Sequence, residues 1–127
     1  MRVRNARDHV RRNRAVWDSW ARDYVADGER AWAAAEPHWG IRAVPESQVG
    51  LLPDDVAGLD TVELGCGTAY VSAWLARRGA RPVGLDNSRA QLATARRLQR
   101  QHGLAFPLLH ADAGRVPRRG CCGRAAG

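Results

Sequence analysis

The sequence predicts an α/β chain in which amino-terminal helices precede three parallel strands with helices between them. Two stretches carry this expectation. In the first, Thr61-Val62-Glu63-Leu64 reads as a strand, Gly65-Cys66-Gly67 breaks it, and Val71, Trp74 and Leu75 follow at helical spacing. In the second, Pro82-Val83-Gly84-Leu85-Asp86 reads as another strand, with Ser88 placed to cap the helix after it. Strand alternating with helix is the pattern of a parallel sheet with crossover helices.

Taken in order, residues 1–13 are polar and Arg-rich, and a frayed end is expected there. From about Asn13 a helix sets Val10, Trp17, Trp20, Ala21 and Tyr24 on one face and Arg11, Asp18 and Arg22 on the other. Core packing is the expected role of Trp17 and Trp20, and Gly28 is placed to end the helix. Residues 29–53 read as connecting structure. They hold a short helix from Arg30 to Glu36 that stops at Pro37, a loop at Trp39-Gly40-Ile41 and a helical turn from Pro45. Trp32 and Trp39 either pack or line a substrate entrance. The first strand is expected to be buried, and the helix of residues 69–78 ends at Gly79. In the helix of residues 89–102, Leu92, Ala95 and Leu98 oppose Arg89, Arg96 and Arg100, and Gly103 closes it. Phe106 to His110 is the third strand, and Pro107 marks it as an edge strand.

Glycines at 65 and 67 permit a sharp turn and leave the main chain open to a ligand. The N–H groups at the following helix start favour anionic or polar ligand groups. A dinucleotide fingerprint, G-x-G-x-x-G/A, needs a small residue where Tyr70 stands. Asp86, 21 residues past Gly65, sits where a carboxylate accepts hydrogen bonds from both ribose hydroxyls.

The stretch Asp60–Tyr70 resembles motif I of class I S-adenosylmethionine-dependent methyltransferases, E/D-x-G-x-G-x-G. Glu63, Gly65 and Gly67 match, and Ala69 stands at the usual third glycine. Asp86 to Leu92 is similar to the family's D-x-S-x-x-M/Q-L segment. The resemblance implies a Rossmann-like methyltransferase fold, S-adenosylmethionine as cofactor, and methyl transfer to a small-molecule acceptor. It implies a cofactor site of Glu63, Gly65, Cys66, Gly67, Asp86, Asn87, Gln91, Asp112 and Ala113. Gln91 would lie near the adenosine and Asp112 near the adenine amino group. Tyr24, near the end of the amino-terminal helix, would touch the methionine portion. Direct attack on the methyl carbon needs positioning rather than a protein nucleophile, so no catalytic side chain is assigned. The other readings are an NAD-type dinucleotide-binding half domain and a non-catalytic nucleoside-binding fragment.

Composition narrows the classes. A chain of 127 residues is one domain at most. The net charge of +7 comes from its ends: residues 1–14 carry +5, residues 113–127 carry +4, and the stretch between carries −2. All 20 basic residues are Arg, which reads as GC-rich coding rather than as a nucleic-acid surface. No apolar run spans a membrane, no secretory leader is evident, and a cytoplasmic location is expected. Cys66, Cys121 and Cys122 form no C-x-x-C pair and stand near no His cluster, so no metal site is expected.

Periodicity stops after Ala113. The organisation expected is therefore a basic end (1–13), a partial methyltransferase domain (14–113) and a tail (114–127) that is disordered or read out of frame. The resemblance implies four further strands, so the domain reads as truncated. The first strand would then present a raw edge, a route to self-association.

Overall fold

The computed structural model describes residues 6–115; the expectations for the tail beyond 115 and for Cys121 and Cys122 lie outside the described residues. Strands β3 (Asp60–Leu64), β4 (Arg81–Asp86) and β5 (Leu108–His110) form a parallel sheet in the order β3-β4-β5. Crossover helices α4 (Tyr70–Arg77) and α5 (Arg89–His102) join them. The expected three strands and two helices are all present. Strand β5 is at the edge, and it starts after Pro107, whose carbonyl still accepts from Gly84 N–H at 3.0 Å. Proline can serve there because only its acceptor is used.

Both helices cover one face of the sheet. On that face Glu63 reaches Ser72 of α4, and Leu108 packs with Leu92 and Ala95 of α5. Gly84 lies between them. A Cβ there would come within 2.9 Å of Leu108 Cδ2 and 3.1 Å of Cys66 Sγ, so glycine lets the strand and the loop close together. On the opposite face Val62, Leu64 and Leu109 are 65%, 61% and 49% exposed. The expected burial of the first strand therefore fails: Thr61 and Glu63 on the helix-covered face are half-buried, and the other face is exposed. Among the described residues, no strand pairs with the outer edge of β3.

The core follows the helix periodicity. Leu92 and Ala95 of α5 are fully buried in one cluster, and Leu98 packs with Trp32 and Ala73 in another. Ser88 accepts from Gln91 N–H as the expected cap of α5, and Gly103 ends that helix in the left-handed conformation.

The amino-terminal segment departs from the sequence expectations in three ways. Helix α1 (Ala6–Trp20) starts seven residues before Asn13, and the chain then turns into a separate helix α2 (Val25–Ala33). Gly28 lies inside α2 instead of ending a helix, because a Cβ there would meet Thr68 Cγ2 at 2.7 Å. It is a close-approach glycine between helix and loop.

The docking face of α1 keeps only part of the expected one: Ala21 is buried and Val10 half-buried, while Arg11 and Arg22 stay exposed. Two polar residues turn inward beside them: Arg14 Nε donates to Asn87 Oδ1 at 2.9 Å, and Asp18 accepts from Ser88 Oγ at 2.5 Å and from Ala90 N–H at 3.4 Å. Trp17 and Trp20 are 37% and 50% exposed, not in the core. The reason is what lies beneath: α1 docks on the unpaired N–H groups at the start of α5, which want an acceptor and not an aromatic ring.

Strands β1 (His38–Trp39) and β2 (Val44–Pro45) form a small antiparallel hairpin where a loop is expected, followed by the short helix α3 (Glu46–Val49). Buried Glu46 pins it, accepting from Trp39 Nε1 at 2.5 Å and Leu52 N–H at 2.6 Å. Trp39 therefore packs. Trp32, 1% exposed, donates to the Thr68 carbonyl at 2.7 Å and also packs.

Candidate functional site

The site grows out of the loop between β3 and α4. Gly65, Gly67 and Ala69 adopt positive φ of 66°, 55° and 62°. This alternation folds residues 65–69 back on themselves, with Ala69 N–H donating to the Cys66 carbonyl at 2.8 Å. The left-handed φ at Ala69 gives a physical reason for glycine as the usual third residue of the motif. No atom lies within 4 Å of a Cβ built on Gly65 or Gly67, so the main chain there is open to a ligand.

Asp86, at the end of β4, fixes this loop. Its Oδ2 accepts from Gly67 N–H at 2.8 Å and its Oδ1 accepts from Ser88 N–H at 2.8 Å. One carboxylate thus ties the β3–α4 loop to the start of α5. Each oxygen keeps a further lone pair for a ligand donor.

A cavity of about 270 Å³ opens beside these groups. Gly65, Gly67, Asp86 and Asn87 line it, together with Gln91, Asp112 and Ala113. The side chain of Gln91 is 5% exposed, and its Oε1 has no hydrogen-bond partner. A buried amide oxygen without a donor is costly unless a ligand supplies one. Gln91 also borders a second cavity of about 960 Å³, together with Cys66, Gly67 and Tyr24. Nine of the ten site residues expected from sequence therefore line one of two adjoining cavities.

The tenth, Glu63, lines neither cavity. Its Oε1 accepts from Ser72 N–H at 3.0 Å and Ser72 Oγ at 2.7 Å, so it holds the first turn of α4 to the strand. Burial pushes the Glu63 carboxyl up from its ordinary value, the Ser72 bonds oppose this, and nearby Asp86 adds to the rise. A folded carboxyl with a raised pKa holds its proton where the unfolded one has released it. Its contribution is fully present below the ordinary glutamate value and is lost as pH rises through the raised one. Glu63→Gln is expected to remove that fall, and urea midpoints from about pH 4 to about pH 8 would measure it. A variant with the wild-type pH slope would rule Glu63 out as its source.

Burial, with Glu63 and Asp86 nearby, pushes the Cys66 thiol up to about 12. The thiol stays protonated and packs against Ala69, Leu92 and Ala95. It is a filler of the loop, not a nucleophile.

Sequence reasoning did not find Asn13, Trp17, Leu85 and Ala111 in the smaller cavity, or Thr68 in the larger. No sequence signal marked Trp17, whose stripe also holds the aliphatic Val10 and Ala21 as a core-facing stripe would. Among the described residues, no group of three or more His, Cys, Asp or Glu could hold a metal ion, and no helix is long and apolar enough to cross a membrane.

Known proteins resemble this chain in sequence and fold. The methyltransferase domain family matches residues 61–121, a stretch that runs past the point where the periodicity stops. Magnesium-protoporphyrin O-methyltransferase of Rhodobacter capsulatus is 33% identical over 86 residues. That match covers 68% of this chain and 38% of the relative, so the chain spans well under half of the relative's length. A solved structure from work on the conversion of a disulfide bond into a thioacetal group during echinomycin biosynthesis is 28% identical, with a TM-score of 0.54. It covers 78% of this chain and 39% of that one. Magnesium protoporphyrin IX methyltransferase from Synechocystis PCC 6803, solved with bound SAH, shares the fold at a TM-score of 0.54 and 19% identity, over 81% of this chain and 53% of that one. Fold and glycine loop thus define a partial Rossmann-like methyltransferase domain. The chain belongs to the class I S-adenosylmethionine-dependent methyltransferase family.

Proposed function

We propose that this chain binds S-adenosylmethionine across the two cavities and presents its methyl group to a small-molecule acceptor. The observation that carries the reading is the open left-handed loop at Gly65 and Gly67, tied to Asp86 through Gly67 N–H and facing a cavity lined by Gln91. The orphaned Gln91 Oε1 and the space over both glycines fit a nucleoside pressed against the main chain. Bound S-adenosylmethionine supplies an electrophilic methyl group on a sulfonium.

The chain's own residues bind and orient it. Asp86 accepts from the ribose hydroxyls with its spare lone pairs. Gln91 and Asp112 meet the adenine portion, and Asn87 and Ala113 wall the same cavity. Tyr24 closes the methionine end. Glu63 keeps the loop in shape by holding the first turn of α4 to the strand through Ser72.

Thermal unfolding with S-adenosylmethionine, S-adenosylhomocysteine and NAD tests the choice of ligand. A ligand at a hundred times its Kd stabilises by about 2.7 kcal/mol. The expected result is a raised midpoint with the first two and none with NAD. A shift with NAD alone would restore the dinucleotide reading.

A further inference from the structure

The larger cavity, about 960 Å³, is wider than the methionine end of a cofactor needs. Its walls come from α2, the β1–β2 hairpin and the start of α4. Many of the polar groups around it already have partners. Asp27 pairs with Arg30 in an exposed ion pair, both Glu36 oxygens are taken by Ser47, and Tyr70 Oη donates to the His38 carbonyl at 3.0 Å. What the chamber offers freely is apolar. Small side chains, among them Ala31 and Ala34, widen it, and Ile41 and Tyr24 both line it.

Ile41 is the unusual residue. It sits on the hairpin turn, wholly exposed. Below it the hairpin is held firmly by Glu46 to Trp39 and Leu52, and by Glu36 to Ser47. A large aliphatic side chain on a braced turn above a cavity gains only when something covers it. Tyr24, 39% exposed, is packed against Trp17 at a ring distance of 6.2 Å, which limits its movement.

We propose that this chamber receives the methyl acceptor, and that the acceptor is an apolar small molecule contacted by Ile41 and Tyr24. This rests on the methyltransferase reading above. With Gln91 given to the cofactor, His38 remains in the polar lining and suits a molecule with one hydrogen-bonding group on an otherwise apolar body.

The test uses the full chain, with 1-hydroxypyrene as a flat apolar probe and myo-inositol as a polar one, each titrated with and without saturating S-adenosylhomocysteine. Ile41→Asp changes a wholly exposed side chain and leaves the core untouched. The expected result is 1-hydroxypyrene binding that weakens about tenfold in Ile41→Asp and in Tyr24→Ser. S-adenosylhomocysteine affinity should be unchanged in Ile41→Asp, and myo-inositol should not bind. Equal 1-hydroxypyrene affinity in wild type and Ile41→Asp, no binding to wild type, or preference for myo-inositol each overturns the proposal. If S-adenosylhomocysteine fails to bind wild type while 1-hydroxypyrene binding still depends on Ile41, the methyltransferase reading fails and the apolar chamber stands.

Discussion

Replacing Asp86 by alanine is expected to weaken S-adenosylhomocysteine binding about tenfold to a hundredfold and to destabilise the fold in the same variant. Asp86 is asked to do two things. It accepts from Gly67 N–H and Ser88 N–H, both at 2.8 Å, and so joins the glycine loop to the start of α5. In the proposed complex it also accepts from the ribose. A hydrogen bond to a charged group contributes about 1.5–3 kcal/mol, and each 1.4 kcal/mol is a factor of about ten in affinity. Losing the ribose bonds alone accounts for the expected loss of affinity.

Losing the two backbone bonds leaves Gly67 N–H and Ser88 N–H without their acceptor, at a cost of about 1–3 kcal/mol for each donor that water cannot reach. Asp86→Asn separates the roles. It keeps the shape and one acceptor oxygen, so it should recover part of the stability while binding stays weak. Isothermal titration and urea unfolding on the three proteins would measure both. Unchanged affinity in Asp86→Ala removes Asp86 from the ligand site and leaves it as a structural tie.

The parallel sheet and the loop on it were legible in the sequence because their signals are local. A β-branched strand, two glycines at left-handed positions and a serine cap each state their conformation within a few residues. Ala69 is different: an alanine does not announce a left-handed backbone, and its φ of 62° emerged only from the structure. The amino-terminal segment was not legible, because what decides it is distant in sequence. Asp18 turns inward because the start of α5, some 70 residues on, presents the Ser88 hydroxyl and the Ala90 N–H to it. Helical periodicity shows that two faces differ, and it does not show which residues at their border meet the protein. Trp17 was assigned to the core for that reason, and it lines a cavity instead.

Gly28 shows the same limit most sharply, and its substitution reverses an ordinary expectation. In an exposed helix interior, Gly→Ala stabilises by about 1 kcal/mol. In α2 the new Cβ would stand 2.7 Å from Thr68 Cγ2 and 2.9 Å from Thr68 Oγ1. Thr68 cannot swing away easily: it is 8% exposed, and its carbonyl accepts from buried Trp32 Nε1 at 2.7 Å. Gly28→Ala must therefore push α2 off the glycine loop and stretch the Trp32 bond. Overpacking of this kind costs about 1–3 kcal/mol, which outweighs the helix gain, so a net loss of stability is expected. Binding should suffer too, because Tyr24 and Thr68 line the larger cavity from the two sides of this contact. Thr68→Ser removes the nearer of the two clashing atoms. The double variant Gly28→Ala/Thr68→Ser should lose less than the sum of the single changes, a coupling that contact alone produces. Urea unfolding of the four proteins measures that coupling. Additive losses, or a Gly28→Ala protein more stable than wild type, would mean that helix and loop do not meet at Gly28 as described.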